Sequence, residues 1–327
     1  MDRGCTALKR FLQISAALGI FIALLAFPNS AADSVKTSLS MCAGVIIPSL
    51  FPFFIATNLI NYLGASKLFS NLLAPLGAKH LGMSGHGITS FIIGITGGYP
   101  LGASYIAGLR KSCLISREEA SRLIIFCNNS GPAFIIGAAG VGVFGSAKAG
   151  FFLYAVHILA ALITAVIISP KHQCDICYDD DTLDPMFFSA AVTSSVKRAA
   201  EAVINVCAFI VAFSVLGGIL DSFYFISSLS GELSAVTGAQ LSSCRALLFG
   251  FLELGNGIGC MSGLRLSPQS LALASFILSW GGLSVHFQTF AMVAETDIKT
   301  ARYMIGRLFT AIIAAAIALL GAAVLRI

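Results

Sequence analysis

The chain has 327 residues, of which 57% are hydrophobic and only 11% charged, with a net charge of +5 and a mean hydropathy of +0.89. Soluble domains carry about 25% charged residues, so a soluble enzyme or binding module is excluded and an integral membrane protein is indicated. The basic residues sit at the ends of apolar segments rather than in one patch, which argues against nucleic acid as a partner and for the lipid bilayer.

The first apolar run, 11–27, follows a basic start at Arg3, Lys9 and Arg10. A secretory signal shares that pattern, but no strong small-residue cleavage site follows, so the expectation is a retained N-terminal transmembrane helix within 1–37. Further stretches near the roughly 20 residues needed to span a bilayer lie at 38–62, 120–142, 149–169, 202–223, 269–293 and 303–325. Two more, 86–109 and 244–264, are interrupted by Gly97-Gly98-Tyr99-Pro100 and Gly255-Asn256-Gly257-Ile258-Gly259, and read as re-entrant hairpins. Weakly amphipathic pieces precede them at 66–81 and 226–241, suited to the membrane interface.

Inside the 120–142 stretch lies a polar knot, Phe126-Cys127-Asn128-Asn129-Ser130-Gly131-Pro132. A bilayer core has no water for exposed amides, so broken backbone there must face protein or a wet cavity. The two halves of the chain share this order of breaks. Val45 aligns with Val203 and Phe91 with Phe249 at one constant offset, and the knot faces Ser279-Trp280-Gly281-Gly282-Leu283-Ser284 at a slightly shorter one. Three crossings per half is an odd number, which turns the second half over. The expected fold is therefore an all-α polytopic membrane protein, an inverted repeat with about seven transmembrane helices, two re-entrant hairpins and broken helices. Its units are a first repeat at 38–170, a polar cytoplasmic linker at 171–199 and a second, inverted repeat at 200–327.

Charge bias orients the chain. Arg3, Lys9, Arg10, Lys67, Lys79, Arg110, Lys111, Arg117, Arg122, Lys171, Lys197, Arg198, Lys299 and Arg302 fall on one side of this layout, giving a cytoplasmic N-terminus and an external C-terminus. Arg245 and Arg265 lie on the other side.

Inverted repeats of this kind place a solute site near the midplane between the halves. Asn128, Asn129 and Ser130 supply donors and acceptors, while Pro132 removes a backbone donor and frees the start of the next half-helix. That N-terminus suits an anionic group; the alternative is a kink satisfied by neighbouring helices. Thr96, Gly97, Gly98 and Tyr99 form the first hairpin tip, where glycines admit close backbone approach and Tyr99 offers a ring face, or packs as an interfacial turn. Glu253, the acid in the second hairpin, is costly in a membrane and so reads as functional. It binds Na⁺, carries H⁺, or pairs with Arg245 or Arg265; Asn256 completes its tip. Ser279, Gly281, Gly282, Ser284, His286, Gln288 and Thr289 occupy the second break, with His286 either a proton carrier or a packing residue. The substrate-site candidates are thus Thr96, Gly97, Gly98, Tyr99, Asn128, Asn129, Ser130, Asn256, Ser279 and Ser284, with Glu253 and His286 as coupling candidates.

The central loop carries Cys174 and Cys177 followed by Asp179, Asp180 and Asp181. A single Cys-x-x-Cys is half of a zinc site, and a solvated linker is the simpler reading, so no metal and no cofactor beyond a coupling ion, Na⁺ or H⁺, is expected. Neither a phosphate-binding loop nor a serine elbow nor a paired carboxylate occurs, so an enzyme is not expected. The start Ser116-Arg117-Glu118-Glu119 reads as a capped helix.

Gly98-Tyr99-Pro100-Leu101-Gly102-Ala103, Leu109-Arg110-Lys111 with Ile115-Ser116-Arg117-Glu118-Glu119-Ala120, the knot 126–132, and Val143-Phe144-Gly145-Ser146 together resemble the sporulation integral membrane protein family YlbJ. The stage V sporulation protein SpoVV belongs to that family. The resemblance runs from about residue 38 to the C-terminus, and its first-half motifs are the more specific. It implies nucleoside-recognition Gate domains in both repeats, similar to concentrative nucleoside transporters and to the gates of ferrous iron transporters. It also implies a transporter in the outer forespore membrane of a spore-forming bacterium, moving dipicolinic acid, a small anionic solute, from mother cell to forespore. A homo-oligomer or sporulation membrane partners are the partners it suggests. The rivals are a nucleoside or cation transporter of the same fold, and a non-transporting membrane scaffold.

Overall fold

The computed structural model describes residues 2–65, 72, 83–168 and 186–325. The described residues form helices and connecting turns, with no strand among them. The expected interfacial piece at 66–81 lies outside them except for residue 72, as do Cys174, Cys177 and the aspartates that follow.

Helix α1 (Asp2–Ala26) precedes α2 (Pro28–Met41), a π-helical turn π1 (Cys42–Ile46) and α3 (Ile47–Tyr62). The last three join into one apolar rod, Pro28–Tyr62. The π turn stands just before Pro48, which has no N–H to give to the preceding turn; a widened turn absorbs that loss. Helices α4 (Gly85–Gly97) and α5 (Leu101–Lys111) pack as a hairpin. Ser84 caps α4 by accepting the Gly87 N–H at 3.1 Å, and Gly98 ends it at φ +87°, ψ 177°.

Helix α6 (Arg117–Cys127) begins at the expected cap, with Ser116 Oγ accepting the Glu119 N–H at 3.1 Å. It stops at Asn128, whose backbone is extended, and the chain resumes after Pro132 as a second π-helical segment, π2 (Ala133–Val143). Helix α7 (Ala147–Ile168) closes the first half. The second half repeats the order: α8 (Phe188–Ser222), α9 (Phe225–Thr237), the hairpin α10 (Leu241–Leu252) and α11 (Leu254–Gly259), the broken pair α12 (Pro268–Trp280) and α13 (Gly282–Val293), and α14 (Tyr303–Leu325). Ser267 and Ser270 form a reciprocal capping box at the start of α12.

Among the described residues, five helical stretches are each long and apolar enough to span a membrane, and the other two of the about seven expected spans are present as shorter apolar pieces. The difference has two physical causes. The 120–142 stretch is cut at the knot into α6 and π2, and the apolar part of α1, Arg10–Ala26, is shorter than a full span. Helix α8 begins at Phe188, so residues 188–199, expected within the polar linker, are helical.

Small residues let backbones meet at the first break. A Cβ on Gly94 or on Gly102 would strike the Cys127 carbonyl oxygen, and one on Gly98 would stand 2.9 Å from the Gly131 nitrogen. The first hairpin is thus seated backbone to backbone against the end of α6. The second half repeats the device, since a Cβ on Gly282 would stand 3.0 Å from the Leu254 nitrogen and 3.1 Å from Glu253 Cα. Each hairpin tip is therefore locked to the helix break of its own half. Helices α2 and α3 pack on α8 to form a second body, and α12 packs on α14.

Candidate functional site

Between the hairpin tips and the rod α2–π1–α3 lies a cleft of about 610 Å³, its open mouth included. The structure brings Thr96, Gly97, Gly98, Tyr99, Ser130 and Glu253 together on its walls. Gln288 of α13 joins them, and Met41, Ser49, Leu50 and Phe53 of the rod, with Val206 and Ile210 of α8, make the opposite wall. Mostly apolar walls with a few convergent polar groups are the usual make-up of a solute site.

Glu253 is the carboxylate on this surface. It is 3% exposed, and Oε2 accepts the Asn256 N–H at 2.7 Å. The expected alternative of a pair with Arg245 is not formed: Arg245 is bound to Asp221 at 2.9 and 2.5 Å. No basic side chain lies within ion-pair distance of Glu253 among the described residues.

The remaining candidates stand behind the cleft. Asn128 is fully buried; its Nδ2 donates to Thr289 Oγ1 at 2.8 Å and to Tyr303 OH at 3.1 Å, while Oδ1 has no partner among the described residues. Asn129 Nδ2 turns back to the Phe126 carbonyl at 2.7 Å. Asn256 Nδ2 reaches Ser214 Oγ on α8 at 2.8 Å. Ser284 Oγ accepts from Gln288 Nε2 at 3.1 Å, and so holds a residue that lines the cleft. The His286 ring is wedged between Trp280 and Tyr303, with centroids 4.2 and 5.1 Å away, and neither ring nitrogen has a hydrogen-bond partner among the described residues.

The two breaks meet through a residue the sequence reading passed over. His157 on α7 is 1% exposed; its Nε2 accepts the Ser130 N–H at 3.1 Å, and its Nδ1 lies 2.9 Å from Ser279 Oγ. Because Nε2 must accept, the neutral ring carries its proton on Nδ1 and donates it to Ser279. His157→Phe should keep the ring volume and orphan the buried Ser130 N–H, costing about 1–3 kcal/mol. Thermal unfolding in detergent measures this, and an unchanged midpoint would show that the bridge contributes nothing.

Arg307 was missed as well, although it is the charged residue inside the final apolar run, 303–325, and the rule that singled out Glu253 applies to it equally. It is fully buried. Nη1 donates to the Ile125 carbonyl at 3.1 Å, and Nη2 donates to Tyr99 OH and to the Ser279 carbonyl. The guanidinium stands over the Tyr99 ring at 5.4 Å, and Tyr99 OH also donates to the Leu278 carbonyl at 3.2 Å.

At one end of the molecule the two halves are tied by charge. Arg110 holds both carboxylate oxygens of Asp297, at 2.8 and 2.9 Å, and Lys111 pairs with Glu295 at 2.6 Å. The hydrogen bonds from Arg110 keep the Asp297 carboxyl below its ordinary range. The link is therefore present at neutral pH and is lost only as pH falls through that lowered value.

Comparison with known proteins places these residues in a family. The Gate family, described as nucleoside recognition, matches residues 43–147, which contain the first hairpin and the knot. The sporulation integral membrane protein YlbJ of Bacillus subtilis (strain 168) is 30% identical over 329 aligned positions, covering 91% of this chain and 79% of that protein. Among solved structures, a CNTnw double mutant in an outward-facing state aligns with 99% of this chain and 88% of its own at 14% identity and a TM-score of 0.49. A CNTnw mutant in the intermediate 3 state aligns with 96% and 86% at 16% identity and a TM-score of 0.47.

Proposed function

This chain belongs to the YlbJ family of sporulation integral membrane proteins, and on that premise we propose that it transports a small anionic solute, the dipicolinate dianion, across the outer forespore membrane. The observation that carries the reading is the cleft itself. A hairpin tip, a helix break and a buried carboxylate converge on one partly open space. Tyr99 presents an aromatic wall to a planar ring. Ser130, Thr96 and Ser49 offer hydroxyls, and Gly98 and Gly131, packed against each other, bring main chain to the cleft wall.

An anion beside Glu253 meets a like charge in a low-dielectric site, which is unfavourable unless the carboxylate is neutralised. The coupling ion is therefore part of the reading: H⁺ on Glu253, or Na⁺ against it, enters with the solute. Asn128, Asn129 and Ser279 act as the frame that holds the two breaks, and Thr96, Gly97, Gly98, Tyr99 and Ser130 as the solute contacts. Residues 38–170 and 200–327 are the two repeats that rock about this frame. The pairing of Arg110 with Asp297 supports a layout in which both loops lie on the cytoplasmic face with the N-terminus.

A second reading is a nucleoside carrier, favoured by the nucleoside-recognition match over 43–147. Uptake of labelled dipicolinate and of labelled nucleoside into proteoliposomes, with and without Na⁺ and across pH, separates the two. The expected result is saturable dipicolinate uptake that requires one of the two cations. Nucleoside uptake without dipicolinate uptake would overturn the proposal in favour of the second reading. Uptake of neither would favour a membrane scaffold.

A further inference from the structure

Arg307 is a full positive charge buried in a membrane helix, with no carboxylate within ion-pair distance among the described residues. What faces it instead are main-chain carbonyls from the last turns of two helices. Ile125 lies in the last turn of α6 and Ser279 in the last turn of α12. These carbonyls have no partner within their own helices, and each helix end carries about half a negative charge. Two such ends balance about one guanidinium.

We propose that Arg307 sets the sign of the solute the cleft accepts. Each break brings a negative helix end and a positive helix start to nearly the same place. With both negative ends occupied by Arg307, the cleft is left facing the starts of the following segments: Gly131, Ala133 and Phe134 at π2, and Val285 early in α13. Without the guanidinium, two unmasked negative ends would add to Glu253, and the cleft would favour cations. Arg307 is not among the cleft-lining residues; it acts through Tyr99, whose hydroxyl it binds and whose ring it covers. It is a positioning and specificity-determining residue, and the inference rests on the reading that the cleft binds an anion.

The test compares two probes of one shape and different charge, pyridine-2,6-dicarboxylate and its neutral diamide. Each is titrated by calorimetry against the full chain in lipid nanodiscs, as wild type, Arg307→Lys and Arg307→Gln. The wild type should prefer the dicarboxylate. Arg307→Gln should lower dicarboxylate affinity by about tenfold or more, equivalent to about 1.4 kcal/mol, while changing the diamide by no more than about threefold. Arg307→Lys, which keeps the charge, should restore the preference.

Equal loss of both probes in Arg307→Gln, or an unchanged ratio, would reduce Arg307 to a structural clamp and overturn the inference while leaving the anion reading in place. If Arg307→Gln does not fold, Arg307→Lys decides, because loss of the preference with the charge retained overturns the inference and its retention supports it. Wild type that binds neither probe, or binds the diamide better, overturns the anion reading and this inference with it.

Discussion

Replacing Gly98 by alanine is expected to destabilise the protein by about 2–6 kcal/mol, through backbone strain and overpacking together. The residue ends α4 at φ +87° and ψ 177°, a region open in practice only to glycine, where a side chain meets its own backbone. The added Cβ would also stand 2.9 Å from the Gly131 nitrogen and 3.2 Å from Gly131 Cα. Neither atom is the end of a flexible side chain, so the hairpin tip must lift away from the knot. Because native stability is only about 5–15 kcal/mol, much of the folded population is at risk, and the solute contacts on either side of the cleft separate even where the fold survives. Unfolding titrations in mixed detergent measure the effect. Gly108→Ala is the control: this helical position in α5 has nothing within 4 Å of a built Cβ and should be neutral or gain about 0.5–1 kcal/mol. Equal stability of the two variants would refute the account of the tip.

The second large effect is on transport. Glu253→Gln should lower solute uptake by about tenfold to a hundredfold, the equivalent of losing a hydrogen bond to a charged group worth about 1.5–3 kcal/mol. The folded state should be little altered, because the glutamine oxygen can still accept the Asn256 N–H that Glu253 Oε2 accepts at 2.7 Å. What disappears is the negative charge that admits a proton or Na⁺. The decisive readout is therefore coupling: residual uptake in the variant should no longer respond to Na⁺ or to pH. Uptake at the wild-type rate with its cation dependence intact would remove Glu253 from the coupling role.

Local chemistry explains which features were legible from residues alone. Spans, caps and breaks depend on neighbours a few positions away. Ser116 with Glu119 marks a helix start because a side-chain oxygen reaches an N–H within one turn. Gly98, Gly281 and Gly282 mark stops because only glycine takes their positive φ comfortably. The knot at Asn128 to Pro132 declared itself because polar backbone has no host in lipid.

The candidate site divided along the same line. Thr96, Gly97, Gly98, Tyr99, Ser130 and Glu253 reach one cleft, while Asn128, Asn129, Asn256, Ser279, Ser284 and His286 lie behind or beside it. A polar residue at a break looks the same in sequence whether it faces the solute or frames the break. The far wall, from Met41, Leu50 and Phe53, carries no sequence mark, because apolar residues of a cleft and of a helix core are alike.

By itself the sequence determined that this is a polytopic helical membrane protein with paired breaks in its two halves, because hydropathy, capping and backbone freedom are properties of short segments. Only the tertiary structure decided that His157 joins the breaks and that Arg307 covers both of their negative ends. Those bonds run from Ser130 to His157 to Ser279, and from Arg307 to the Ile125 and Ser279 carbonyls. A buried polar group must find a partner, but which partner it finds is settled by how distant helices pack.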